Sequence, residues 1–223
     1  LGDVYKRQSG SRILTSEAEY AANYVAFLQR AKRDNLKIDI VPSDQNGTLD
    51  INVLEDMIDE SVGLIAISWI PTNGGLVNPA EKVGQVAKKY NIPYLLDACQ
   101  AAGQMSINVK KIECDFLSAT GRKFLRGPRG TGFLYIKEKW LDTIEPVMID
   151  HFGAPWVEKN VYELREDARR FETWENSYAL RAGLGEAINY AEKIGIDLIH
   201  ERVQLLAGEN RKLLSEIKKV QIR

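Results

Sequence analysis

Lys123 stands in the stretch Ser118-Ala-Thr-Gly-Arg-Lys-Phe-Leu-Arg-Gly-Pro-Arg-Gly-Thr-Gly132, and upstream of it the apolar run Ile92-Pro-Tyr-Leu-Leu-Asp97 ends in a carboxylate. A lysine amine can hold the aldehyde of pyridoxal phosphate as a Schiff base. A carboxylate can keep the pyridine nitrogen protonated so that the ring accepts electrons. The pairing suggests pyridoxal chemistry divided between Lys123 and Asp97. Each residue alone has a commoner use: a surface lysine in a glycine-rich loop, and an aspartate that ends a strand and caps the next turn. Once released from the cofactor, the Lys123 amine is the natural shuttle for a substrate α-proton. A cationic neighbour such as Arg122 favours its uncharged form.

The elements that must position these two residues alternate in type. From Glu17 to Arg33, Tyr20, Tyr24, Phe27, Leu28 and Ala31 recur at roughly helical spacing, with Arg30, Lys32 and Arg33 at the end where the helix dipole favours cations. Short apolar segments at 38–41, 62–69, 94–96, 116–117 and 132–136 are interleaved with helical stretches around 51–59 and 79–90. Strand alternating with helix predicts an α/β fold with a mostly parallel central sheet flanked by helices. Asn78 before Pro79 is read as a helix cap, so the loop of residues 70–78 joins a strand end to a helix, at the edge where such sheets bind ligands. Residues 150–175 read as irregular and charge-rich, followed by helices over 178–194 and 198–220.

Composition narrows the function classes. The chain has 223 residues, 44% of them hydrophobic, enough for a substantial core. With 30 basic and 31 acidic residues the formal charge is −1, which gives no global attraction to nucleic acid or to an anionic membrane. No apolar run reaches membrane-spanning length and no secretory pattern opens the chain, so a soluble, cytoplasmic protein with a small-molecule ligand is expected. Two cysteines, Cys99 and Cys114, and two histidines, His151 and His200, are too few and too scattered for a metal site. Both cysteines read as small buried filler residues.

The blocks Asp97-Ala-Cys-Gln-Ala-Ala-Gly103, Thr120-Gly-Arg-Lys123 and Gly130-Thr-Gly-Phe-Leu-Tyr-Ile136 resemble the class V aminotransferase family of fold-type I pyridoxal-phosphate enzymes. That family includes cysteine desulfurases, selenocysteine lyases, isopenicillin-epimerase-like proteins and the carbon–sulfur lyases of ergothioneine synthesis. The resemblance runs from about Arg12 to Ile194. It implies a partial cofactor-binding large domain over 12–150, preceded by a non-family or linker segment over 1–11. Residues 151–223 would be an interdomain segment and the helical start of a small carboxyl-terminal α+β domain, with the chain truncated at both ends.

The same resemblance implies roles residue by residue. Lys123 matches the aldimine lysine, and Asp97 with Gln100 matches the pyridine-nitrogen carboxylate and the residue that bonds the cofactor's phenolic oxygen. Thr120 and Arg122 match positions that contact the phosphate, where a hydroxyl and a forked guanidinium both suit phosphate oxygens. Tyr20 matches the aromatic ring over the pyridine face, or else is a core tyrosine on its helix. Thr72 or Asn73 matches a loop residue that touches cofactor or substrate, or is only a turn residue. Arg122 and Tyr20 stand where desulfurases usually carry histidine, which sets the chain apart from a plain housekeeping desulfurase. The family further implies a homodimer with shared sites, with Asn176 and Ser177 as candidates to reach the partner's phosphate.

The expected activity is that of an enzyme acting on an amino acid, most simply a carbon–sulfur lyase of cysteine desulfurase type, with an aminotransferase or epimerase as alternatives. A different class of reading is a non-catalytic assembly fragment that keeps the fold. A nucleotide-binding domain is disfavoured, because neither G-x-G-x-x-G nor a P-loop occurs, and the loop with Arg126, Gly127, Arg129, Gly130 and Gly132 lacks the Gly-Lys-Ser/Thr ending.

Overall fold

A computed structural model describes residues 11–220. Six strands form one sheet: β1 (Arg12–Ser16), β2 (Lys37–Val41), β3 (Val62–Ser68), β4 (Tyr94–Asp97), β5 (Phe116–Thr120) and β6 (Gly132–Ile136). They lie in the order β2-β1-β3-β4-β5-β6, all parallel except β6, which runs antiparallel to β5. β3 is central and all of its residues are buried, as a strand covered on both faces requires. Helices α1 (Ala21–Asp34), α2 (Ile51–Asp56), α3 (Ala80–Lys89) and α4 (Val109–Ile112) make the crossovers. α5 (Tyr178–Ile194) and α6 (Ile196–Ser215) follow in series.

Alternation along each strand divides the core into two layers. Leu14, Ile65, Ile67, Leu96 and Leu117 point to the cluster that also holds Leu54 of α2, Val83 of α3 and Leu184 of α5. Ile13, Leu64, Ala66, Leu95, Phe116 and Ile136 point the other way, onto Phe27 of α1. Each of the leucine, isoleucine and phenylalanine side chains contributes about 1.5–3 kcal/mol when fully buried, and a one-residue slip would turn them to the wrong face.

Several sequence expectations are refined. The first helix begins at Ala21 and stops where Asn35 turns left-handed, with φ of 53°. Asn78 is not a side-chain cap for α3, whose N-cap position is Pro79. It is buried instead, accepting from the Leu49 amide at 3.0 Å and donating to the Ser68 carbonyl at 2.8 Å, and so ties the end of β3 to the approach of α2. The stretch 150–175, read as irregular, contains a short hairpin of β7 (Trp156–Glu158) and β8 (Val161–Tyr162). Gly195, with φ of 97°, is at once the C-cap of α5 and the N-cap of α6, so the last helix starts two residues earlier than periodicity suggests and ends at Ser215. The expected linker at 1–11 lies, but for Ser11, outside the described residues.

Candidate active site

Every parallel strand delivers its carboxyl end to one edge of the sheet, and the chemistry-bearing residues gather there. β4 ends in Asp97 and β5 in Thr120, with Lys123 in the turn that follows. β1 ends in Ser16, from which the chain passes through Glu19 and Tyr20 into α1. β3 ends in Ser68 and leads into the loop holding Thr72 and Asn73. β6, being antiparallel, starts at this same edge, with Gly132 opposite Thr120.

Lys123 is half-buried, and its Nζ lies 5.5 Å from the centroid of the Tyr20 ring, within range of a cation–π attraction. Tyr20 is 39% exposed and precedes the helix, so it is not a core side chain. The loop carrying Lys123 is closed by hydrogen bonds from Gly127 N to the Gly121 carbonyl (2.8 Å) and from Arg126 N to the Lys123 carbonyl (2.9 Å). It packs on Gly103, whose φ is 94° and whose Cα faces the backbone of Phe124 and Leu125. A β-carbon at 103 would have no room, so this glycine lets the lysine loop approach the turn after Asp97.

Asp97 is held from two sides. Its Oδ1 accepts from the Cys99 amide at 2.8 Å and its Oδ2 from Asn23 Nδ2 at 2.7 Å. Burial pushes the Cys99 thiol up to about 12, with the negative charge of Asp97 adding to the shift and Lys123 opposing it. Asp97, Cys99 and Lys123 therefore share one electrostatic neighbourhood. Cys114 is fully buried and likewise pushed up to about 12, chiefly by burial. Both thiols stay protonated at neutral pH and neither is poised as a nucleophile.

Gln100 is half-buried in the turn after β4, where its carbonyl accepts from Gln104 Nε2 at 2.5 Å. Thr120 donates from Oγ1 to the Thr131 carbonyl at 3.3 Å, and Arg122 is exposed. Thr72 and Asn73 are both exposed in the loop after β3, and the geometry does not choose between them. Asn176 and Ser177 lie on a different surface, an open groove of about 700 Å³ shared with Gly130, Thr131 and Phe133 of the β6 approach. Asn176 donates to the Thr173 carbonyl at 3.0 Å, whereas Ser177 caps α5 by accepting from Leu180 N at 3.4 Å, which leaves its hydroxyl proton free to donate elsewhere.

Sequence reasoning missed Glu19 and Asn23, although Glu19 receives more hydrogen bonds than any other carboxylate near the site. Its only sequence signal is the i, i+4 spacing of a carboxylate and an amide at a helix start, which is too common to stand out. Among the described residues there is no cluster of His, Cys, Asp and Glu suited to a metal, and no helix is long and apolar enough to cross a membrane.

Comparison with known proteins accords with this geometry. The chain is 32% identical over 217 residues to a probable cysteine desulfurase of Pyrococcus abyssi, covering 97% of this chain and 54% of that protein. It is 33% identical over 227 residues to a probable cysteine desulfurase of Borreliella burgdorferi, covering 97% and 52%. It superimposes on the apo structure of a cysteine desulfurase from Thermococcus onnurineus with a TM-score of 0.88 and 31% identity, over 94% of this chain and 52% of that one. The chain thus spans about half the length of the relatives it matches. The aminotransferase class-V family model matches residues 3–223, and the chain belongs to that family.

Proposed function

We propose that this chain forms the cofactor-holding part of a pyridoxal-phosphate-dependent enzyme that acts on an amino acid as a carbon–sulfur lyase of cysteine desulfurase type. The observation that carries the reading is the convergence of Asp97, Lys123 and Tyr20 at one sheet edge, in a chain whose relatives bear the name cysteine desulfurase. An amine over an aromatic ring, a pinned carboxylate, and a hydroxyl and a guanidinium at the start of the lysine loop are the donor set that this cofactor needs.

When bound, pyridoxal phosphate supplies an electron sink for negative charge developing at the substrate Cα. The chain's residues would divide the remaining work. Lys123 would hold the cofactor through its amine, and its free Nζ would be placed to take a substrate α-proton. Asp97 keeps the ring nitrogen protonated, held ready by the Cys99 amide and Asn23. Tyr20 would cover the ring, Gln100 would bond the phenolic oxygen, Thr120 and Arg122 would take the phosphate, and Thr72 or Asn73 would touch cofactor or substrate. Neither cysteine of this chain is suited to accept sulfur, since both thiols are pushed up to about 12. An aminotransferase or an epimerase would share the same opening steps.

The proposed assembly is a homodimer in the cytoplasm. Ser177 is the better candidate to reach a partner's phosphate, because the Asn176 amide is already engaged within its own loop. We assign 12–150 to the cofactor domain and 151–223 to the segment leading into a second domain. The exposed Leu198, Leu205, Leu206 and Leu213 of α6 support a further covering element. The decisive experiment is borohydride reduction of the full-length protein after incubation with pyridoxal phosphate, followed by peptide mapping. The adduct is expected on Lys123; an adduct on Lys137 or Lys139 instead, or no adduct at all, refutes the reading.

A further inference from the structure

Glu19 and Asn23 join Asp97 in a chain of hydrogen bonds that the family roles above do not use. Glu19 Oε1 accepts from Tyr20 N (2.8 Å), Asn23 Nδ2 (2.9 Å) and Ser68 Oγ (2.6 Å). Its Oε2 accepts from Ser68 N (2.8 Å) and Thr15 Oγ1 (3.3 Å). One carboxylate therefore fastens the ends of β1 and β3 and the start of α1 to a single point. A primary amide carries two N–H groups. Those of Asn23 are both spent on carboxylates, one on Glu19 and the other on Asp97 Oδ2. Because both partners only accept, the orientation of the amide is fixed.

We infer that Asn23, anchored by Glu19, is the positioning residue that aims the Asp97 carboxylate. The inference rests on the proposed pyridoxal reading and adds to it a group that touches neither cofactor nor substrate. Two features make the amide the controlling donor. The cleft that Glu19, Asn23, Asp97 and Ser118 line together with Phe27 and Leu95 has room of about 10 Å³, at the lower limit for a single water, so solvent is a poor replacement for a lost amide there. The other Asp97 oxygen is fixed by a backbone amide two residues away, which holds one end of the carboxylate and leaves rotation about it to be stopped by Asn23. Glu19 serves as the fixed end: with five donors it cannot turn toward Asn23 or away from it without abandoning Ser68 or Tyr20.

The test is a double-mutant cycle in the full-length protein using Asn23→Leu, Asp97→Asn and the pair. Asn23→Leu keeps the side-chain size and removes both donors. Two quantities are read: the dissociation constant for pyridoxal phosphate, from its visible absorbance on titration, and the melting temperature of the cofactor-free protein. Asn23→Leu is expected to weaken cofactor binding about tenfold, the scale of one charge-assisted hydrogen bond. In the Asp97→Asn background the same change should cost less than about twofold, because the group it positions is gone. An equal loss in both backgrounds, or no loss in either, overturns the inference, and a melting temperature that falls without the coupling assigns Asn23 to packing alone and overturns it too. If Asn23→Leu does not fold, Asn23→Ser, too short to reach Asp97, is carried through the cycle; if that also fails to fold, the residue works for the fold and the inference fails. A wild-type protein that takes up no cofactor refutes the pyridoxal reading itself, and the inference with it, a result distinct from wild-type binding with an uncoupled Asn23.

Discussion

Replacing Gly103 by alanine would place a methyl group 2.4 Å from the carbonyl carbon of Phe124, 2.5 Å from the amide nitrogen of Leu125 and 2.6 Å from the Phe124 oxygen. All three are backbone atoms of the loop that carries Lys123, so no side chain can swing away to make room. To restore ordinary contact the loop must retreat by about 1 Å, and misplacement on that scale costs on the order of 100-fold in rate when it reaches a reacting group. The strain has two sources. A side chain at φ of 94° costs about 1–2 kcal/mol, and forcing extra volume into a packed contact adds about 1–3 kcal/mol. Together they lower the melting temperature by about 5–15 °C in a domain of this size. Gly130→Ala is the matched control, since its φ of 81° carries the conformational cost but nothing lies within 4 Å of the added carbon. Both variants are made in the full-length protein, melted, and assayed for the rate of borohydride trapping at Lys123. Gly103→Ala should melt several degrees below Gly130→Ala and trap the cofactor far more slowly. Equal behaviour of the two would show that the close approach of the Gly103 turn to the lysine loop does not control the site.

Asp97→Asn should retain cofactor yet lose turnover by orders of magnitude, because a neutral amide cannot hold the ring proton; near-normal turnover in a steady-state assay would reduce Asp97 to a strand-end residue. For the thiols, a folded value of about 12 against an ordinary 9.0 means that folding stability from Cys114 is complete below pH about 9 and is lost as pH rises toward 12. Iodoacetamide at pH 8 should accordingly label the buried Cys114 at least tenfold more slowly in native than in unfolded protein, and the half-buried Cys99 more slowly too, as mass spectrometry can follow; equal rates for Cys114 would contradict its burial. Mixing full-length Lys123→Ala with a full-length Asn176/Ser177 double alanine variant, each inactive alone, should restore partial activity if sites are shared between subunits, and proven heterodimers without activity would refute sharing.

The parts legible in the sequence were those set by a single local pattern. β6 and α5 match the expected bounds of 132–136 and 178–194, the first because a short continuous run of aromatic and aliphatic residues after a glycine reads as a strand, the second because Ser177 and Gly195 mark both ends of a helix. Lys123 and Asp97, to which the proposed chemistry is assigned, could be singled out because each ends or follows a recognisable block. What escaped depended on distant partners. Asn78 has the residue type and position of a helix cap, yet its amide is drawn to Ser68 and Leu49 by burial that no local pattern reports. Glu19 and Asn23 are ordinary residues in an ordinary helix start until three strand ends arrive beside them. The β7–β8 hairpin is too short to show a period.

The carboxylate of Glu19 also bears on the order in which the molecule folds. Its bonds to Ser68 span 49 residues, and the bond from Asn23 to Asp97 spans 74. Contacts so remote in sequence form only after the intervening loops have closed, and they lag behind local helices. The Asp97 neighbourhood is complete only when β1, β3 and β4 are seated in register. A nascent or misregistered chain lacks it altogether. On the proposed reading, the capacity to capture a cofactor would report on the register of the whole sheet rather than on one loop.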